Sequence, residues 1–122
     1  MHEAAIASGI LDAVRRTLED REPVRLRVVR VRIGEFAGVV AECLEFAWEV
    51  LRAGTLAEGV PLEIESVPAT ARCRACGVSY PVEDVSLLCP RCGGLDVELV
   101  TGREMIVSEL EVDARDDSGG TP

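Results

Sequence analysis

The apolar pattern of this sequence predicts an α+β fold: a small mixed β-sheet packed with two helices, plus an inserted module built on four cysteines. Three observations carry the prediction. Two stretches, residues 3–20 and 39–53, repeat apolar side chains at helical spacing. Three more, 25–33, 60–67 and 104–112, have the composition and alternation of strands. Between the last two lie Cys73-Arg-Ala-Cys76 and Cys89-Pro-Arg-Cys92, separated by twelve residues. The implied organisation is an α/β domain at 1–68, an inserted module at 69–102, a returning strand at 103–112 and a disordered acidic tail at 113–122.

In the first helix Ile6, Ile10, Val14 and Leu18 recur every four residues, with Ala7 and Leu11 beside them. Asp12, Arg15, Arg16, Glu19 and Asp20 take the wet side, Gly9 weakens the helix by up to about 1 kcal/mol, and Pro23 helps end it. In 25–33, Val29, Val31 and Ile33 share one face and Arg30 and Arg32 the other, with Leu26 and Val28 on the arginine side. These arginines read as a solvated sheet face, a docking surface for an acidic partner being the alternative, since charge runs are usually wet. In the second helix Val39, Cys43, Phe46 and Val50 make one stripe, and Val40, Leu44, Ala47 and Leu51 the adjacent one. Cys43 on an apolar face reads as a small buried hydrophobe, and Gly54 as a C-terminal cap. In 60–67, Val60, Leu62 and Ile64 alternate with Glu63 and Glu65, and Pro61 places the segment at an edge or a strand start.

Inside the module, Val78–Pro81 and Leu95–Leu99 are short strand candidates, as in a zinc ribbon. Two CxxC pairs at this separation signal a zinc site on Cys73, Cys76, Cys89 and Cys92, with disulfides or redox thiols as the plainer alternative. Zinc takes a tetrahedron of thiolates at about 2.3 Å, and a CxxC turn offers two sulfurs to one ion. Gly77 and Gly93-Gly94 follow the pairs, where glycine tolerates positive φ. With four thiolates no position remains for water, so the site is structural. So small a module buries little core, and metal binding supplies its folding free energy, on the order of 10 kcal/mol in small zinc peptides. The final strand, with Ile106, Leu110 and Val112 on one face, is too apolar to stand free and is expected to return to the first sheet.

Composition excludes several functions. With 13 basic and 22 acidic residues the net charge is −9, which argues against nucleic-acid binding. No apolar run reaches membrane-span length. The start, Met-His-Glu-Ala-Ala-Ile, lacks a signal peptide's basic and apolar regions, so a cytoplasmic location is expected, where thiols stay reduced. There is no second histidine, no phosphate-cradling glycine loop and no nucleophile–base pair, so the chain does not read as an enzyme. Glu3, Glu35 and Glu42 read as surface charges rather than catalytic acids.

The single histidine is His2. A terminal Met-His can chelate through the amine, the His2 amide nitrogen and the His2 Nδ1; an idle residue in a frayed terminus is the plainer reading. Nitrogen donors in a plane suit Ni(II) or Cu(II) rather than tetrahedral zinc. A bulky second residue protects Met1 from removal, and Glu3 can add a carboxylate or its own amide. Such a site loses protons on binding, so its affinity falls in acid.

Here the sequence resembles a known family, the hydrogenase maturation nickel metallochaperones called HypA. The resemblance runs through Met1-His2-Glu3, Ile33-Gly34-Glu35-Phe36, Gly54-Thr55, Ala57-Glu58-Gly59, both CxxC pairs with Pro90 in the second, and Gly102-Arg103-Glu104-Met105. It implies transferable Ni(II) at Met1 and His2, with Glu3 bonded to the metal or to one of its ligands. It implies structural Zn(II) on Cys73, Cys76, Cys89 and Cys92. It also implies delivery of nickel to the large subunit of a [NiFe]-hydrogenase with a partner GTPase. The sequence leaves open whether two chains form a homodimer sharing one site. Some relatives carry histidines beside the zinc cysteines; here none exist, which rules out a pH-driven exchange of zinc ligands to such a histidine.

Overall fold

A computed structural model describes residues 2–21, 24–83 and 86–114. The elements follow the order α1 (Glu3–Glu19), β1 (Val24–Gly34), α2 (Ala41–Leu51), β2 (Leu62–Val67), β3 (Thr70–Cys73), β4 (Ser79–Pro81), β5 (Val97–Thr101) and β6 (Met105–Ala114). The strands form two three-stranded sheets, ordered β2-β1-β6 and β4-β3-β5. The fold is therefore α+β, as the apolar pattern predicts. Two compact units divide the chain. The first takes the chain up to Val31, Val39–Ile64, and the chain from Val107 onward; the second takes Arg32–Gly38 and Glu65–Ile106. Pro23 and the tail beyond Ala114 lie outside the described residues.

In the first unit both helices pack together and bury one face each: Ala7, Ile10, Leu11 and Val14 from α1, and Leu44 and Trp48 from α2. Leu26, Val29 and Val31 of β1 are buried too. The sheet is mixed. Val29 N–H donates to Pro61 O at 3.1 Å and Arg30 pairs with Glu63, so residue numbers rise together along β1 and β2. Arg27 meets Asp113 and Arg30 meets Glu109, so β6 runs opposite to β1. Arg30 pairs with Glu63, Glu109 and Glu111 on the wet face of this sheet. The arginine row therefore faces its own neighbouring glutamates, which leaves little free positive charge for an acidic partner.

Four expectations fail in instructive ways. Leu26 is buried, although alternation counted back from Val29 places it with the arginines; the burial alternation slips by one residue at Val28. Of the two apolar stripes on α2, the one holding Cys43, Phe46 and Val50 faces solvent, and Cys43 is exposed rather than core. The reason is Trp48, the largest side chain of the core and 1% exposed. Its indole Nε1 donates to Val60 O at 2.7 Å, which turns the Leu44–Trp48 side inward and the Phe46 side outward. Ile106 is 49% exposed instead of sharing a buried face with Leu110 and Val112, which are only half-buried; β6 lies at the sheet edge. Finally β6 continues to Ala114, and Asp113 of the expected tail pairs with Arg27 at 3.6 Å.

Candidate metal centre

The second unit is built around its cysteines. β3 ends at Cys73, and the chain then folds into a tight turn in which Gly77 N–H donates to Cys73 O at 2.8 Å and Cys73 N–H donates to Val78 O at 2.9 Å. The second pair repeats the arrangement: Gly93 N–H donates to Cys89 O at 2.8 Å, and Cys89 N–H to Gly94 O at 3.0 Å. Gly77 and Gly93 close the turns at φ 82° and 74°, a conformation costly for residues with a Cβ. In each turn the backbone N–H groups converge on the first sulfur. Cys76 N–H lies 3.5 Å from Cys73 Sγ; Arg91 N–H and Cys92 N–H each lie 3.4 Å from Cys89 Sγ.

The two knuckles bring all four sulfurs within 4.8 Å of one another. Cys73 Sγ and Cys92 Sγ are 3.7 Å apart, and Cys76 Sγ and Cys89 Sγ 3.6 Å. A tetrahedron with metal–sulfur bonds of 2.3 Å has edges of about 3.8 Å, so these spacings fit zinc. They exclude disulfides in this arrangement, whose bond is about 2.05 Å. Cys73 and Cys89 are buried; Cys76 and Cys92 are exposed. This asymmetry sets one wall of the cluster against protein and opens the other to solvent.

Electrostatics separate the four thiols into two pairs. The N–H of Cys92, then that of Arg91, stabilise the Cys89 thiolate and bring its pKa down to about 6 despite burial. The Cys76 N–H likewise lowers Cys73. Cys92 accepts the Gly94 N–H, but the sulfurs of Cys73 and Cys89 outweigh it and push the thiol up to about 11. Cys76 accepts the Val78 N–H, yet burial and the sulfurs of Cys89 and Cys73 raise it. Like charges this close cannot all ionise unaided. The first cysteine of each pair is thus shifted toward the thiolate and the second toward the thiol, and a thiophilic dication among them would favour the thiolate at all four.

A small core supports the cluster. Ala69, Ala71, Tyr80 and Val82 are buried with Cys73 and Cys89, and Val78, Leu87, Val97 and Leu99 pack against them. Tyr80 closes one side: its hydroxyl donates to Leu87 O at 2.8 Å, and burial, then the charge of the cysteines, raises its pKa. β3, which places Cys73, pairs antiparallel with both β4 and β5.

At the amino end, in the first unit, His2 occupies the N-cap of α1 and its side chain makes no capping bond, so the exposed imidazole is free of the helix. Its carbonyl accepts the Ile6 N–H at 3.1 Å. Glu3 is committed elsewhere: its Oε2 accepts the Val40 N–H at 2.9 Å, and that bond holds its carboxyl below the usual range. Met1 lies outside the described residues. The structure thus gathers the four predicted zinc ligands, leaves His2 exposed, and engages Glu3 with the start of α2.

Comparison with known proteins now adds to this geometry. Residues 1–112 match a family model described as hydrogenase/urease nickel incorporation, metallochaperone, hypA. The chain belongs to the HypA family. It is 41% identical over 113 residues to the hydrogenase maturation factor HypA of Geobacter sulfurreducens, covering 93% of this chain and 100% of that one. The corresponding factor of Streptomyces avermitilis is 42% identical over 118 residues, covering 94% and 90%. The solution structure of the Ni metallochaperone HypA from Helicobacter pylori superimposes with a TM-score of 0.69 at 22% identity, covering 94% of this chain and 100% of that chain. At that identity the likeness speaks for the fold.

Two motifs carrying the HypA resemblance meet beneath the cysteine module. Gly34 N–H donates to Glu104 O at 2.8 Å, and Phe36 N–H to Gly102 O at 2.6 Å. A Cβ on Gly34 would fall on the backbone of Gly102, so glycine at 34 permits this approach, while a Cβ on Gly102 would meet Ala69. Glu35, read from sequence as a surface charge, accepts the Ala69 N–H at 2.8 Å, and Glu104 accepts the Gly102 N–H at 2.7 Å. Glu35, Glu104 and Glu3 all serve backbone donors. Sequence reasoning missed the roles of Glu3 and Glu35 because their partners are set by the fold, whereas Glu104 closes a local turn with Gly102. The glycines of Ile33-Gly34-Glu35 and Gly102-Arg103-Glu104 were the available signal.

Proposed function

We propose that this chain is a nickel metallochaperone: it binds Ni(II) at its amino terminus and delivers it for maturation of a [NiFe]-hydrogenase, working with a nickel-insertion GTPase and the hydrogenase large subunit. The observation that carries this reading is the family match from residue 1 to residue 112, which includes Met1-His2-Glu3 and both cysteine pairs. The cargo ligands are the Met1 amine, the His2 amide nitrogen and the His2 imidazole, a set with the planar nitrogen preference of Ni(II). Glu3 belongs beside them as a positioning residue, its carboxylate occupied by the Val40 N–H. Zn(II) on Cys73, Cys76, Cys89 and Cys92 holds the second unit in shape and takes no part in nickel chemistry. The role is escort rather than catalysis. An exposed imidazole at the chain start suits a cargo that has to leave.

The test is a nickel titration of untagged protein beside His2→Ala and an N-acetylated chain. The reading expects one nickel per untagged chain and at least tenfold weaker binding in both altered forms. Equal binding by all three removes the terminal site. No uptake by native chain at neutral pH, with zinc in place, ends the escort reading and leaves a ribbon-bearing adaptor. Among the described residues no helix is long and apolar enough to cross a membrane.

A further inference from the structure

Helix α2 carries an apolar ridge that the first unit leaves uncovered. Cys43, Phe46 and Val50 follow one another at three- and four-residue steps, so they align on one side of the helix. Phe46 is 67% and Val50 58% exposed, and Cys43 is exposed beside them. Packing in this unit does not require them, since α2 is anchored by Leu44 and Trp48 on its opposite side. An aromatic ring and two apolar neighbours grouped in water form the kind of surface that marks interaction sites.

The ridge has a charged border. Glu42, Glu45 and Glu49 are exposed on the same helix, and at about 100° per residue all three fall on one flank of Phe46. The helix itself supplies no cation to balance them. Arg52, just beyond its end, donates its Nη1 to Val60 O at 2.6 Å.

We infer that this ridge docks an amphipathic helix of a partner protein, one whose apolar stripe is bordered by lysine or arginine. Charge selects this occupant. A second copy of α2 would set three glutamates against three, which like-charge repulsion disfavours. An anionic membrane surface is repelled by the same carboxylates. Residues 115–122 of this chain, Arg-Asp-Asp-Ser-Gly-Gly-Thr-Pro, contain no large apolar side chain and cannot cover the ridge. A helix laid along α2 would place its own stripe over Phe46 and Val50 and its cations against the glutamate flank. The inference is independent of nickel: it concerns a surface whose residues bind no metal in the reading above.

The experiment uses zinc-loaded full chain and two fluorescein-labelled 18-residue helical peptides, one with a leucine stripe bordered by lysines, the other with the same stripe bordered by glutamates. Anisotropy is expected to show the lysine peptide binding at least tenfold more tightly than the glutamate peptide. Phe46→Ser and, separately, Val50→Ser should each weaken it about tenfold. Glu42→Gln, Glu45→Gln and Glu49→Gln combined should weaken it and flatten its salt dependence. Bound lysine peptide should also protect Cys43 from iodoacetamide. Leu95→Ser, in the second unit and 78% exposed, should leave binding unchanged. Equal binding of both peptides, indifference to Phe46→Ser, or an equal loss with Leu95→Ser overturns the inference. So does Phe46-dependent dimerisation of the chain alone in sedimentation, or Phe46-dependent binding to phosphatidylglycerol vesicles. These are surface positions, and unchanged circular dichroism confirms that each variant is folded.

Discussion

The two units of this chain reach a compact state by different means. The first buries two helices and the inner side of β1, with Trp48 fully enclosed. The second has a small buried cluster of two alanines, a tyrosine, a valine and two cysteines. Where apolar area is scarce, the proposed metal on the four sulfurs supplies the remaining cohesion. The difference teaches that, with zinc on the four cysteines as proposed, one chain of 122 residues is stabilised by solvent exclusion in one part and by coordination in another.

That contrast is best broken at the cysteines, where the largest effect is expected. Cys89→Ser, or a strong zinc chelator, should abolish protection of amides in 65–106 while α1 and α2 keep theirs, read by hydrogen exchange. Simultaneous loss in both parts would show that the first unit leans on the metal as well. Trp48→Ala should act in the opposite way. It should cost the first unit about 3–5 kcal/mol in denaturant unfolding while zinc stays bound. Gly34→Ala comes next: a Cβ there meets the Gly102 backbone, and about 3 kcal/mol of stability should be lost from the second unit.

Acid sharpens the comparison further. The Cys89 pKa is depressed from 9.0 to about 6 by the N–H groups of Cys92 and Arg91. A depressed pKa means that the thiolate is favoured in the folded form. Its contribution is fully present above 9.0 and is lost as the pH falls through about 6. Zinc should be released on acidification, as protons compete with it for the sulfurs, followed with a colorimetric indicator. The far-ultraviolet helical signal of the first unit should persist through that window. The smallest effect is expected at Arg30. Its pairs with Glu63, Glu109 and Glu111 lie on a wet face, so Arg30→Gln should barely move Tm even though three contacts vanish.

Much of this was legible in the sequence, unevenly. The extent of α1 and the inward side of Val29, Val31 and Ile33 follow from periodicity and match the buried positions. The four cysteines and the glycines behind them announce the cluster, because a CxxC turn is a local object. The stripes of α2 were both visible, but choosing between them needed Trp48 to find Val60 across a loop. Strand β3 went unread: Thr-Ala-Arg-Cys alternates polar and apolar over only four residues, too short a run to announce a strand, and β4 and β5 flank it on both sides.

By itself, then, the sequence determined what depends on neighbours along the chain: helical and strand periods, the metal-ligand spacing, the turns, the Met-His start and the net charge of −9. Tertiary structure decided which α2 stripe meets water, which backbone donors Glu3 and Glu35 satisfy, and how closely Gly34 approaches Gly102. The reason is physical. Periodicity and chelate spacing are set by bond geometry over a few residues, whereas the burial of α2 and the partners of Glu3 and Glu35 are chosen by segments farther along the chain, 12 residues away for Trp48 with Val60 and 37 for Glu3 with Val40.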